Sequence, residues 1–270
     1  MLLAAACFSG CTGAPEAELP YNIHLLEAGK DYTAVGTRLF EFRSDDPVHY
    51  VIQGAYFDGR YFYVASVGRP ENSPEVARII KLDANGKKLG ESEPLAVDHA
   101  NNISFVPGKG LFVTHCQSDD GHYYRYSFVD PKTYKITGSG DLEHPFFAMA
   151  YAADVGKFAS GEWSGEALDV WDRSLNCLLH KEVETPATLS QGVFADAQGI
   201  YFVRSSQNGV GSEIRIYNWD CELVRTVPLH LEGNIEPENI NIAGGKVYVI
   251  GNDWGSGVGA AFLVEFQEAG

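Results

Sequence analysis

The side chains of this 270-residue chain best suited to chemistry are polar groups that recur at one interval. Gln53, Asn101, Gln191 and Glu238 fall at corresponding points of a repeated pattern, with Ala148 at the fifth, and successive separations are 48, 47, 43 and 47 residues. His99 stands two residues before Asn101. Amides offer donors and acceptors, and a carboxylate offers acceptors, so such a set suits hydroxyls, amides or a cation. A lone carboxylate near a channel mouth needs a partner or takes a raised pKa, which makes Glu238 the most specific of these residues. The structural alternative is that the amides satisfy backbone groups or water inside the fold.

Other candidates surround these. Glycoside cleavage needs two carboxylates facing one sugar; Glu238 would be one, with Glu162 or Asp253 as the other. Trp163 and Trp254 fall in loops and suit stacking on sugar rings. Arg204 ends a strand, either as their charged complement or as a rim residue. His115, Cys116, Asp119, Asp120 and His122 share the loop "HCQSDDGH" and form a weak metal candidate, since no recognised ligand spacing is present. A solvated loop is the alternative. The cofactor stays open, with a divalent cation such as calcium as the candidate. "GSGVG" from Gly255 joins two strands and lacks the strand-to-helix context of a phosphate loop. Neither GxSxG nor HExxH occurs.

The elements that must position these residues show in the same repeat. "VIQGAYFDGRYFYVAS" from Val51 and "LSQGVFADAQGIYFVR" from Leu189 spell one phrase twice, and "HANNISFVPGKGLFVTH", "FAMAYAADVGKFASGE" and "EPENINIAGGKVYVIG" are further copies. Each leads through a polar loop to a third strand: "ARIIKLD", "YYRYSFVD", "EALDVWD", "SEIRIYN" and "AAFLVEF". In the first four copies a turn and a fourth strand follow. Alternating apolar runs between turn signals at this period predict an all-β, five-bladed β-propeller of four-stranded antiparallel blades. The fifth copy lacks a fourth strand, and "TRLFEF" near the N-terminus is an orphan. Pairing the orphan with the last blade would close the ring and leave no edge open. The loops entering each first strand, and those joining strands two and three, then gather at one end, termed the top. Binding is expected there.

The "HAN" run, the repeated Gln-Gly and the late "EPEN" resemble a bacterial and phage group, the teichoic-acid-biosynthesis-protein-C-like propellers, related to phage receptor-binding propeller domains. In that group a Gly-His-Ala-Asn-Asp run and a late Glu-Pro-Glu run recur at strand starts. Here the first reads "DHANN", without the leading Gly and trailing Asp. The resemblance spans most of residues 50–267. It implies a five-bladed cell-surface propeller with Gln53, His99, Asn101, Gln191 and Glu238 at the matched positions, and an anionic polymer as ligand.

Residues 1–20 read as a lipoprotein-type signal and tether, and 21–270 as a single propeller domain. "FSGC" approximates a lipobox and marks Cys11 for lipidation, with Cys7 in "AAAC" as the second choice; no Lys or Arg precedes the short apolar run. A net charge of −16 argues against nucleic acid and against an anionic membrane surface, leaving a lipid anchor as the membrane link. Cys116, Cys177 and Cys221 show no CxxC spacing, so neither a zinc knuckle nor a disulfide framework is indicated. The favoured function is an exported, monomeric propeller that binds a glycan or small polar ligand at the top of its channel. A glycoside hydrolase or lyase, and a protein-interaction scaffold, are the competing readings.

Overall fold

The structure, a computed structural model, describes residues 22–71, 74–116, 123–206, 211–253 and 256–269. Cys7 and Cys11, with the rest of residues 1–21, lie outside the described residues, as do Asp119, Asp120, His122 and Trp254. Apart from a single 3-10 turn at Ile23–Leu25, the regular elements are strands. Among the described residues no helix is long and apolar enough to cross a membrane.

β1 (Tyr32–Phe42) opens the fold. Three sheets follow in chain order, each of four antiparallel strands in sequence order. The first is β2 (His49–Phe57), β3 (Tyr61–Gly68), β4 (Val76–Asp83) and β5 (Lys88–Glu91). Next come β6 (Ile103–Val106), β7 (Gly110–Thr114), β8 (Arg125–Val129) and β9 (Ile136–Asp141). The third is β10 (Ala148–Ala152), β11 (Lys157–Gly161), β12 (Ala167–Asp172) and β13 (Cys177–Glu182). A fourth antiparallel run holds β14 (Leu189–Ala195), β15 (Ile200–Ser205), β16 (Ser212–Tyr217) and β17 (Leu223–Leu231). The last comprises β18 (Ile235–Ala243), β19 (Lys246–Asp253) and β20 (Val258–Glu268).

β1 supplies the strand missing from that last run. It pairs antiparallel with β20 from Tyr32 opposite Glu268 to Phe42 opposite Gly259, and it includes the orphan "TRLFEF". Its other edge pairs parallel with β17, Ala34 opposite Leu229 through Gly36 opposite Leu231, so these eight strands form one continuous sheet. No local pattern in the chain marks that parallel seam in advance. The first strands touch in a cycle: β2 against β6, β6 against β10, β10 against β14, β14 against β18, and β18 against β2.

The hairpins are set by side chains that copy backbone turns. Asp83 and Asp172 end a third strand, Asp130 and Asn218 directly follow one, and each side chain accepts from the backbone N–H two residues on. Asp58 and Asp196 do the same between first and second strands. Such turns fix hairpin register at low entropic cost, which is why this end carries short, ordinary loops. Between neighbouring sheets, apolar faces close the core. Phe62, Val64, Ile80 and Leu82 meet Ile250 and Ala261, while Phe112, Phe158 and Trp171 pack together further round.

Candidate functional site

The repeated Gln-Gly has a geometric cause. Register shifts in the pairing of β2 with β3, β14 with β15 and β18 with β19 fall between Ile52 and Ala55, between Ser190 and Gly192, and between Pro237 and Asn239. Gln53, Gln191 and Glu238 are thus bulge residues, pushed out of the ladder at one equivalent place in three hairpins. A bulge re-aims the side chain it carries. The glycine after each glutamine serves a different end. A Cβ on Gly54 would lie 2.5 Å from Ala100 O and 2.7 Å from Asn102 Cα, and one on Gly192 would lie 2.6 Å from Asn239 Nδ2 and from Glu238 O. First strands of different four-strand runs approach at backbone contact there, and Gly54 N donates to Ala100 O at 3.0 Å.

Gln53, Asn101, Gln191 and Glu238 are all buried. Asn101 donates from Nδ2 to Gln191 O, tying two members of the set across the molecule. Gln191 donates from Nε2 to Ser205 Oγ at 2.6 Å and to Glu236 Oε1 at 2.8 Å. Gln53 Oε1, Asn101 Oδ1 and both carboxylate oxygens of Glu238 accept nothing. Burial pushes the Glu238 carboxyl well above its ordinary range, and the neighbouring Glu236 carboxylate pushes it further. Glu238 can donate to Glu236 only while it holds its proton, which is why this neighbour raises it.

Beneath this set runs a relay of asparagines. Asn102 donates from Nδ2 to Met149 O, and its Oδ1 accepts from Val193 N and from Asn239 Nδ2. Asn239 Oδ1 in turn accepts from Asn241 Nδ2, and Asn241 Oδ1 accepts from Phe57 N. One buried chain of amides therefore links all five first strands. The trailing Asn of "HANN" belongs to this scaffold. The sequence left such a role open for the amides as a class, but it did not separate Asn101 from Asn102.

His99 lies off the set, its Nδ1 2.9 Å from Glu75 Oε2. It is flanked by Asp98 and Ala100, non-glycine residues with φ of 47° and 46°. Such strain persists only where surrounding bonds impose it; here His99 N donates to His115 O and Ala100 N to Val97 O. His115 itself is a structural tie, with Nδ1 3.0 Å from Asp98 Oδ2 and Nε2 2.8 Å from Ser127 Oγ. Burial pushes the Cys116 thiol well up, with Glu75, Asp98 and Glu238 adding to it. Asp253 ends β19 between Ile235 and Val258.

Trp163 and Glu162 line a second feature, an open cavity of about 230 Å³ shared with Tyr123, Pro145, Phe146, Phe147 and Ser164. Trp163 and Tyr123 are 45% and 46% exposed, so two large aromatic surfaces face solvent at one concavity. Burial raises the Glu162 carboxyl, with Glu166 and Asp169 contributing. Arg204 is not a rim residue. It is buried, donates to Thr188 Oγ1, Thr188 O and Ser164 O, and its pKa falls to about 10 through burial. A Cβ on Gly165, at φ 78°, would strike its guanidinium. Arg204 therefore clamps the Trp163 turn from below, while Ser190 N holds Trp163 O at 2.9 Å. Tyr123 and Phe147 sit in segments the repeat had marked, but no spacing in the sequence singles them out as partners of Trp163.

No protein-family model matches the chain, and no curated protein matches it. Solved structures do. A protein of unknown function from Bacteroides caccae superposes with TM-score 0.50 at 12% identity, covering 75% of this chain and 83% of that one. An exo-beta-1,3-galactanase from Phanerochaete chrysosporium, with beta-1,3-galactotriose, superposes with TM-score 0.56 at 10% identity, covering 85% and 67%. That enzyme with galactose gives 0.56 at 9% identity, covering 83% and 64%. Identities this low show the fold alone: all-β and propeller-like, built of four-stranded antiparallel sheets.

Proposed function

We propose that this chain is a five-bladed propeller, closed by β1, that binds a glycan at its loop-rich end. The cyclic contact of the five first strands and the pairing of β1 with β20 support the ring. The observation that carries the binding reading is the cavity at Trp163 and Tyr123. Saccharide rings present apolar C–H faces to aromatic planes and hydroxyls to polar groups, and this cavity offers both, with the Glu162 carboxyl at its wall. The turn that displays Trp163 is pinned by Arg204 and Ser190, so little conformational freedom remains to be lost on binding. Ser190 directly precedes Gln191, which sets the cavity and the polar channel ring at the same end of the fold.

The orphaned atoms of Gln53, Asn101 and Glu238 are all oxygens, suited to hydroxyl donors of the same ligand. A glycan array followed by calorimetry tests the proposal. Trp163→Ala should weaken saccharide binding at least tenfold at unchanged melting temperature. Absence of any saccharide ligand, or full affinity in Trp163→Ala, would end it.

One observation favours an enzyme. Glu162, raised by burial among aromatics, has the character of a general acid. It is, however, the one carboxylate among the described residues lining the cavity, whereas hydrolysis by two carboxylates needs a second across the sugar. Turnover of oligosaccharides that vanishes in Glu162→Gln would move the chain to that class. Export with a lipid on Cys11 belongs to the same proposal and rests on the "FSGC" run. Mass spectrometry of membrane-fraction protein should find the lipid, and soluble protein unaffected by Cys11→Ser would remove it from the account.

A further inference from the structure

The outer half of the third sheet carries a side-chain cluster that the glycan reading does not use. Asp169 on β12 is 2% exposed. Its Oδ1 accepts from His180 Nδ1 at 2.7 Å and from His144 Nδ1 at 2.9 Å. Asp169 and His180 are direct partners across β12 and β13, while His144 reaches in from the segment ahead of β10. The two imidazoles stand edge to face with centroids 4.6 Å apart. Both therefore turn the same nitrogen toward one buried oxygen, and the three atoms lie within 4.8 Å of one another.

We propose that His144, Asp169 and His180 form a binding site for one zinc-class divalent transition cation. Two imidazoles and a carboxylate match the donor preference of zinc and its neighbours, whereas calcium and magnesium call for oxygen alone. Three protein ligands leave a fourth tetrahedral position for water, the arrangement of open zinc sites. With metal–ligand bonds of roughly 2.0–2.2 Å, ligand atoms in a tetrahedral shell stand about 3.3–3.5 Å apart. Entry of the ion then requires the two rings to swing outward by roughly half an ångström, given those bond lengths. They are free to do so: the His144 and His180 side chains are 30% and 45% exposed, against 2% for Asp169. The fixed carboxylate provides the anchor and the mobile imidazoles close on the ion.

The surroundings favour a cation. Glu162 interacts electrostatically with Asp169, His144 and His180, so a further acidic residue bears on the site. Glu143, His144 and Cys177 make a second trio, and because His144 belongs to both, only one can be filled at a time. The Asp169 trio has two imidazoles and a buried charge in need of compensation, and it takes precedence on that ground.

The test uses the full chain, freed of metal by a chelator and titrated with zinc chloride in a calorimeter, with cobalt absorption as a second readout. One equivalent of zinc should bind and raise the melting temperature, while magnesium and calcium give no heat. His180→Ala and His144→Ala should each weaken zinc binding by at least about tenfold, as removal of a ligand does. His180→Gln keeps a hydrogen-bond donor toward Asp169 and should fold as wild type yet lose zinc affinity equally; this variant separates ligation from folding. Cys177→Ala should bind as wild type. No saturable zinc binding by wild type would overturn the proposal. So would undiminished binding in His180→Gln, which would place the ion elsewhere, or loss in Cys177→Ala.

Discussion

Gln191 donates from Nε2 to Glu236 Oε1 at 2.8 Å, and this contact separates the two carboxylates that flank Pro237. Glu236 Oε1 also accepts from Ser205 Oγ at 2.8 Å, so its charge is solvated by protein donors. Glu238, two residues on, receives no donor. Burial and the Glu236 carboxylate both raise the acid without donors, which therefore holds its proton more tightly. Glutamine at position 191 thus acts through its neighbour, supplying Glu236 with a donor that Glu238 lacks.

The close approach at Gly54 and Gly192 predicts a cost for the smallest substitution. Gly192→Ala should destabilise the domain by about 1–3 kcal/mol, because the new methyl meets backbone and Asn239 Nδ2 instead of empty space. Gly54→Ala should do the same against Ala100 O and Asn102 Cα. Denaturant melts with an unchanged slope would measure both. Wild-type stability in either variant would show that these strands can move apart.

Arg204 predicts a coupled loss. Removing its guanidinium leaves Ser164 O and Thr188 O without their donor and Glu213 without the cation 4.0 Å away. Arg204→Met should cost roughly 3 kcal/mol, the usual consequence of breaking a buried charged contact. It should also loosen the Trp163 turn, seen as a red shift and easier quenching of tryptophan fluorescence. Stability lost without any change in quenching would separate Arg204 from the display of Trp163.

The architecture was legible because its signals are local. Period-two runs such as "RIIKLD" and the aspartate that ends them encode both the strand and its turn, and the repeat placed Gln53, Asn101, Gln191 and Glu238 at one coordinate. What the repeat could not convey is direction. Whether Gln53, Gln191 or Glu238 leaves the ladder depends on a bulge, and a bulge depends on pairing between strands whose register no single stretch contains. Arg204 reads in sequence as any strand-end cation, and its burial follows from Thr188 and Ser164, residues 16 and 40 positions away. The His144, Asp169 and His180 cluster was missed for the same reason: cross-strand pairing joins two of them, and a loop brings the third.

Closure by β1 predicts unequal truncations. β1 pairs along its length with β20 and also with β17, and Ala34 and Phe42 are buried in two separate core clusters. Removing residues 1–43 should abolish a cooperative melt, since it opens two strand edges and exposes both clusters. Removing residues 1–20 should leave the melting temperature within about a degree, because surface and terminal changes rarely exceed ±0.5 kcal/mol. Equal stability of the two truncations would refute the closure.

Glu238 predicts a pH signature that can be read without any ligand. Its folded pKa is raised well above its ordinary value of 4.5, chiefly by burial and then by Glu236. A raised value means that the folded state holds a proton the unfolded chain has released. Below about pH 4.5 the group is protonated in both states, and its favourable contribution is fully present. As pH rises past that point the unfolded state ionises first, and stability falls by up to about 1.4 kcal/mol per pH unit until the folded pKa is passed. Glu238→Gln has nearly the same shape and cannot ionise, so it escapes the decline. The difference in melting temperature between variant and wild type should therefore grow in the variant's favour from pH 4.5 upward. Comparing the two proteins at each pH removes the other titrating groups they share. A flat difference between pH 4.5 and 8, or one that grows in favour of wild type, would mean that Glu238 is ionised in the folded protein. Its unpaired oxygens would then require a bound cation.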